Sequence, residues 1–442
     1  MVSRYDFGMK NIELAVHFFF QLGVILLVCR VVGVIAKWFG QPQVVAEMIA
    51  GVLLGPSLFG FLAPELQQWI FPWDRSQQTR DTQSYLFPAS QLGLALYMFV
   101  VGMEFRVDIV RKHFRSSVAV SLAGMVAPFV LGAGLAWYFF HNTQLFPEKT
   151  GKWEAMLFLG ASLCITAFPM LARIIHYKGL AGTLMGTVAI GAGAIDDATA
   201  WCLLAVVLAS FDGKIENALP SIGGAVAFVA LVILVVRPLL QSIHHRWIEI
   251  KEDGSQSLSD AGFVVGLSCM AFGAWFTDRI DLHAVFGAFV VGSAIPRGVM
   301  HRDIIARVQP LAVGLLLPLF FTYSGLNTRI GLLNSGYLWG MCGLVLIASI
   351  LGKGFACWAA ARATGLPNRE ALGIGALMNA RGLMELIIIN IGLQRGVISG
   401  ELFAILVIMA VVTTLMASPI FDLLRLHSPA SHHSAPTSES PT

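Results

Sequence analysis

The sequence predicts an all-α polytopic membrane protein with about 13 transmembrane helices, and three observations predict it. Charged residues make up 12% of the 442 positions and hydrophobic residues 56%, against roughly 25% charged in an ordinary soluble domain. Mean hydropathy is +0.74, which over this length would leave a water-soluble globule with a very large exposed apolar surface. The apolar residues also fall in long runs, with no sustained alternation of the kind that marks strands.

Taken in order, the predicted spans are 14–36, 43–63, 86–105, 115–140, 154–176, 183–210, 217–240, 258–278, 281–296, 309–327, 336–363, 369–393 and 400–426. Most have the roughly 20 apolar residues that cross a ~30 Å hydrocarbon core at 1.5 Å per residue. Gly40 and Pro42 separate the first two spans, and Gly55-Pro56 punctuates the second. Arg115 and His141 bracket the fourth, and His244, His245 and Arg246 follow the seventh. The short ninth ends at Pro296. Spans five and twelve carry helix breakers near their middles, Pro169 and Gly382. Residues 1–426 read as a single integral membrane domain, and the Ser-, Pro- and His-rich residues 427–442 as a disordered cytoplasmic tail. No small-x-small cleavage pattern follows the first apolar run, so no cleaved signal peptide is expected.

Loop charge orients the chain. With the N-terminus outside, 16 of the 29 Lys and Arg residues fall in inward loops and 10 on the outward side, three lying within spans. That bias favours an outside N-terminus and a cytoplasmic C-terminus in a plasma (inner) membrane. The net charge of +3 is explained by topology, and no basic run or motif points to nucleic acid. The six cysteines lie in apolar stretches without a CxxC pair and read as small core residues. No enzyme signature and no cofactor motif are present.

The sixth span places two adjacent carboxylates, Asp196 and Asp197, midway along an apolar segment. An intramembrane acid is costly and reads as a functional site facing water or a partner charge. Neighbours on a helix diverge by about 100°, so one acid can face a cavity while the other meets a partner. Lys353, well inside the eleventh span, either snorkels to the interface or pairs with Asp196. Arg381 and Glu385 in the twelfth span are four apart and can pair; with Asn379 they sit at the predicted break. Thr166 and carbonyls freed near Pro169 offer the oxygen ligands that hard cations prefer.

Aligning Gly160 with Gly375, an offset of 215 residues, sets LGASLCITAFPMLARII against IGALMNARGLMELIII. The two spans are seven apart and run oppositely, as expected for inverted six-helix repeats whose interrupted helices flank a midplane ion site. An ion-coupled transporter follows. A cation channel, and an ion-driven symporter of an organic solute, are the competing readings.

The stretches QPQVVAEMIAGVLLGPSLFG (41–60), LYMFVVGMEF (97–106), ITAFPMLARII (165–175), AIDDATAW (194–201) and NARGLMELIIINIGLQRGVIS (379–399) resemble the sodium/proton exchanger superfamily. The likeness is closest to its second cation–proton antiporter branch, of Kef-type and plant cation–proton exchangers. The resemblance implies a monovalent cation:proton antiporter with the sodium/proton antiporter fold, two crossing broken helices, and interleaved core and dimerisation subdomains in a homodimer. It implies alternating access, with Asp197 binding cation and proton in turn and Asp196 paired with Lys353. The transported Na+ or K+ and the proton are then the only ligands, and no resident cofactor is expected. Kef-type systems usually have Gln where this chain has Asp196, and no GxGxxG follows the last span. Ligand-gated potassium efflux of the Kef kind is therefore not expected. If Lys353 also releases a proton when the cation arrives, exchange is electrogenic, two protons for one cation, with Na+ and K+ both open.

Overall fold

The computed structural model describes residues 5–71, 77–104, 113–180, 182–211, 215–250, 252, 254–280 and 284–423. The 427–442 tail lies outside the described residues, as do several charges used for orientation, Arg106, Arg111 and Lys112 among them. Fifteen helices matter here. They are α1 (Tyr5–Trp38), α2 (Gln43–Leu54), α3 (Gln77–Glu104), α4 (Phe114–Asn142), α5 (Lys152–Cys164), α6 (Phe168–Tyr177), α7 (Leu184–Phe211) and α8 (Ile215–Leu231). After a hairpin come α9 (Asp260–Arg279), α10 (Ala284–Ala294), α11 (Val299–Leu311), α12 (Gly336–Ile350), α13 (Asn368–Met378), α14 (Leu383–Gln394) and α15 (Gly400–Leu423).

Among the described residues every predicted span falls mainly on helix, with the fifth and twelfth interrupted. By length and composition alone, nine helices among the described residues can cross a membrane. The count of about 13 is reached only by adding α7, the short α10 and the two interrupted pairs, α5–α6 and α13–α14. Three helices are lengthened by wide i→i+5 turns: α8 through Val232–Val236, α11 through Ala312–Leu316 and α12 through Leu351–Phe355. Capping is local where sequence permits. Glu154 accepts from Gly151 N at 2.9 Å ahead of α5, and Ser259 from Gly262 N at 3.2 Å at the start of α9.

One element departs from the all-helical expectation. A two-stranded hairpin pairs β1 (Ile248–Ile250) with β2 (Gln256–Leu258), in register Ile248↔Leu258. Three residues per strand are too few to show as alternation. The hairpin is held by long-range charge instead. Asp303 accepts from Leu258 N at 2.8 Å, while Arg302 and Arg307 donate to the Gln256 and Leu258 carbonyls at 2.8 and 2.9 Å.

The helices pack in two sets. One gathers α1, α2, α3, α9, α10 and α11; the other gathers α4 to α7 and α12 to α15. Glycine sets the closest approaches in both, because a missing Cβ lets backbones touch. α4 meets α5 where a Cβ on Gly132 would lie 2.9 Å from the Gly160 Cα. In the first set, a Cβ on Gly325 of the α11 extension (Leu317–Leu326) would collide with the Gly51 carbonyl of α2 and lie 2.6 Å from Val52 N. Backbone cannot yield as a side-chain tip can, so Gly325→Val is expected to exceed the usual 1–3 kcal/mol of overpacking. The expected readout is a lowered melting temperature, with loss of a monodisperse peak on size exclusion in detergent.

Candidate functional site

The site is built where two interrupted helices cross. α5 stops at Cys164, residues 165–167 are unwound, and α6 resumes at Phe168. Pro169 stands in the first turn of α6, where its missing N–H leaves nothing unpaired, and the break lies just upstream. α13 stops at Met378, and α14 resumes at Leu383 after the extended Gly382. The 215-residue offset aligns Phe168 with Leu383, the first residues of both second half-helices. The two unwound stretches touch through Ala167 N, which donates to the Ala380 carbonyl at 3.4 Å. A Cβ on Gly382 would lie 2.6 Å from Met170 Cγ, so glycine lets the strands cross this closely.

An interrupted helix leaves unpaired carbonyls at its C-terminus, and its dipole places negative potential there. Two buried cations meet that need at the end of α5. Arg381, 0% exposed, donates to the Ser162 carbonyl at 3.0 Å and the Leu163 carbonyl at 2.5 Å. It also donates to Ser349 Oγ at 2.6 Å and faces Glu385 Oε1 at 3.4 Å. Lys353 donates to the next carbonyl, that of Cys164. The backbone of Arg381 is itself tied to α15, its N–H 3.3 Å and its carbonyl 2.9 Å from Thr414 Oγ1.

Lys353 sits in the wide turn of α12 and is fully buried, so it does not snorkel. Gly352 and Gly354 flank it. A Cβ on Gly352 would lie 3.2 Å from Pro128 Cα of α4, and one on Gly354 2.5 Å from Asn379 Nδ2. The turn and its glycines thus lower Lys353 into the space between α4 and the second crossing. Its ammonium lies 3.4 Å from Asp196 Oδ2.

The two carboxylates of α7 have unlike surroundings, although both are 0% exposed. Asp196 Oδ1 accepts from Ser121 Oγ of α4 at 2.6 Å, and Oδ2 accepts from Thr166 Oγ1 of the first break at 2.6 Å. With Lys353 beside it, Asp196 is held from three elements. Among the described residues, neither oxygen of Asp197 has a hydrogen-bond partner. A buried carboxylate left this way is unfavourable unless a proton or cation joins it.

Of the residues singled out from sequence, the structure brings Asp196, Lys353 and Thr166 into one cluster, with Arg381 and Glu385 paired beside it. The Thr166 hydroxyl is directed to Asp196. Asn379 is the C-cap of α13, with Nδ2 3.3 Å from the Gly375 carbonyl and Oδ1 unpartnered. Sequence reading missed Ser121, Ser349 and Thr414. A hydroxyl in an apolar helix commonly bonds its own backbone, as Ser162 does to Phe158 O at 2.9 Å, so composition marks none of them. Among the described residues, no group of three or more His, Cys, Asp or Glu is placed to hold a resident metal ion.

Residues 23–424 match the family described as sodium/hydrogen exchanger, transmembrane. The chain is 36% identical over 400 residues to the Na(+)/H(+) antiporter NhaS4 of Synechocystis, covering 90% of this chain and 94% of that protein. It is 34% identical over 422 residues to cation/H(+) antiporter 20 of Arabidopsis thaliana, covering 93% of this chain but only 48% of that longer relative. Among solved structures, the sodium proton antiporter MjNhaP1 from Methanocaldococcus jannaschii superposes with a TM-score of 0.61. That likeness covers 94% of this chain and 98% of the other at 14% identity, and shows a common fold. The family match over residues 23–424 and the 36% identity to a relative covered to 94% show that the chain belongs to the transmembrane sodium/hydrogen exchanger family of cation:proton antiporters.

Proposed function

We propose that this antiporter exchanges a monovalent cation, Na+ or K+, for protons at Asp197 by alternating access. The observation that carries the reading is the contrast within the acid pair: Asp196 is engaged at both oxygens, while Asp197 is buried with neither oxygen partnered. A proton and a cation exclude each other from one carboxylate, which couples their opposite movements without further machinery. Thr166 and Asp196 shape the wall of the site, and Lys353 supplies the partner charge. Arg381, Glu385 and Asn379 hold the second crossing in place. The names of the relatives, a Na(+)/H(+) antiporter and a cation/H(+) antiporter, support a monovalent cation and leave Na+ and K+ both open.

In this reading the helix set α4 to α7 with α12 to α15 is the moving core. The other set is the scaffold and dimer face of a homodimer in the plasma membrane, with the N-terminus outside. Lys353 bonds a backbone carbonyl as well as Asp196, so a cation arriving at Asp197 beside that pair can release the proton of Lys353. Two protons then exchange for one cation, and a membrane potential contributes about 2.3 kcal/mol per 100 mV. The test is reconstitution in liposomes with a pH dye, titrating Na+, K+ and Li+ separately, with and without a potential clamp. Cation-driven proton flux that speeds up under the clamp is expected. Flux indifferent to the clamp removes electrogenicity and leaves antiport, and an absence of flux with every cation removes antiport.

A further inference from the structure

Hydroxyls on the helices around the site mostly bond their own backbone one turn back. Ser162 bonds Phe158 O at 2.9 Å, Thr199 bonds Ile195 O at 2.8 Å, and Thr413 bonds Met409 O at 2.7 Å. Such bonds stay within one helix and carry no information to a neighbour. Ser121 is different. It is 1% exposed on α4 and reaches across to α7, donating to Asp196 Oδ1 at 2.6 Å. Ser117, one turn earlier on the same face, lies 3.4 Å from the Val188 carbonyl, so α4 and α7 share a polar seam leading to the acid.

A hydroxyl carries a single proton to donate. Ser121 and Thr166 both direct theirs to Asp196, and Asp197 receives none. Lys353 and Thr166 lie on the Oδ2 side of Asp196, and among the described residues Ser121 alone supplies a hydrogen bond to Oδ1. We propose that Ser121 is a positioning residue for transport: its hydrogen bond holds Asp196 against α4, leaving Asp197 as the one carboxylate open to the transported ion. The inference rests on the antiport reading above. Without that bond, Asp196 Oδ1 has no hydroxyl donor among the described residues, and the side chain is held on its Oδ2 side alone. The negative potential that Asp196 sets beside Asp197 is then less fixed, and the arriving cation is held less tightly.

The experiment uses the full chain in liposomes at one fixed pH, with Na+ and K+ titrated separately. Ser121→Ala is expected to raise the half-saturating cation concentration about tenfold while the maximal rate changes by less than about twofold, the scale of one lost hydrogen bond to a charged group. Ser121→Thr keeps the hydroxyl and is expected to bring half-saturation back to within about twofold of wild type. Ser121→Cys, a weak donor of similar size, is expected to fall between them. If the Ala variant does not fold, the Cys variant decides on the same scale. Unchanged half-saturation in the variant that decides overturns the proposal. So does an equal fall in maximal rate for Ala and Thr with half-saturation unmoved, which is the mark of packing alone. Wild-type protein without cation-driven proton flux overturns the antiport reading itself, an outcome distinct from a silent Ser121 variant beside an active wild type.

Discussion

Asp197→Asn is expected to reduce cation-driven proton movement to the rate of protein-free liposomes while leaving the protein folded. The amide has nearly the shape of the carboxylate but neither its charge nor a proton to exchange, so competition at the site ends. Folding is expected to survive because neither Asp197 oxygen has a hydrogen-bond partner to lose among the described residues. Removing a buried charge next to Asp196 also relieves like-charge repulsion, so the melting temperature in detergent should hold or rise. This combination separates a transport role from a structural one, since most buried polar positions lose stability when altered. Normal exchange by this variant would take Asp197 out of the mechanism.

Arg381→Ala is expected to have the largest effect on stability. The guanidinium serves two helix-terminal carbonyls, the Ser349 hydroxyl and Glu385, and all of it is out of contact with solvent. Truncation leaves Ser162 O and Leu163 O facing a cavity and leaves Glu385 as an uncompensated buried carboxylate. Breaking a buried pair in this way costs about 3–5 kcal/mol, before the lost carbonyl bonds are counted. Thermal melting in detergent should show the drop. Adding Glu385→Leu to Arg381→Ala should recover only part of it, because the second change removes the orphaned charge and leaves the carbonyls bare. Full recovery by the double variant would show that Arg381 acts through Glu385 alone and does not cap α5.

Much of this architecture was legible in local chain chemistry. Hydropathy placed the spans, because an apolar run of a given length answers to the bilayer whatever its neighbours are. Asp196 and Asp197 stood out because charge at that depth is rare. The matching breakers Pro169 and Gly382 marked both crossings, although the first break opens at residues 165–167, ahead of the proline. The β1–β2 hairpin was not legible, since three residues per strand show no alternation and the side-chain bonds to β2 come from Arg302, Asp303 and Arg307 some 45 residues on.

By itself, then, the sequence determined a bundle of membrane helices with a carboxylate pair at mid-depth and two interrupted helices related by an inverted repeat. The family resemblance implied that Asp196 is the paired carboxylate; only the tertiary structure showed the donors that hold it. That arrangement depends on helix phase and on donors far away in the chain: Ser121 is 75 residues from Asp196, and Arg381 is 219 residues from the carbonyl it caps. The wide turn that aims Lys353 at Asp196 likewise packs against α4 and the second crossing, where a Cβ on Gly352 would crowd Leu131 and Pro128 and one on Gly354 would meet the Asn379 side chain.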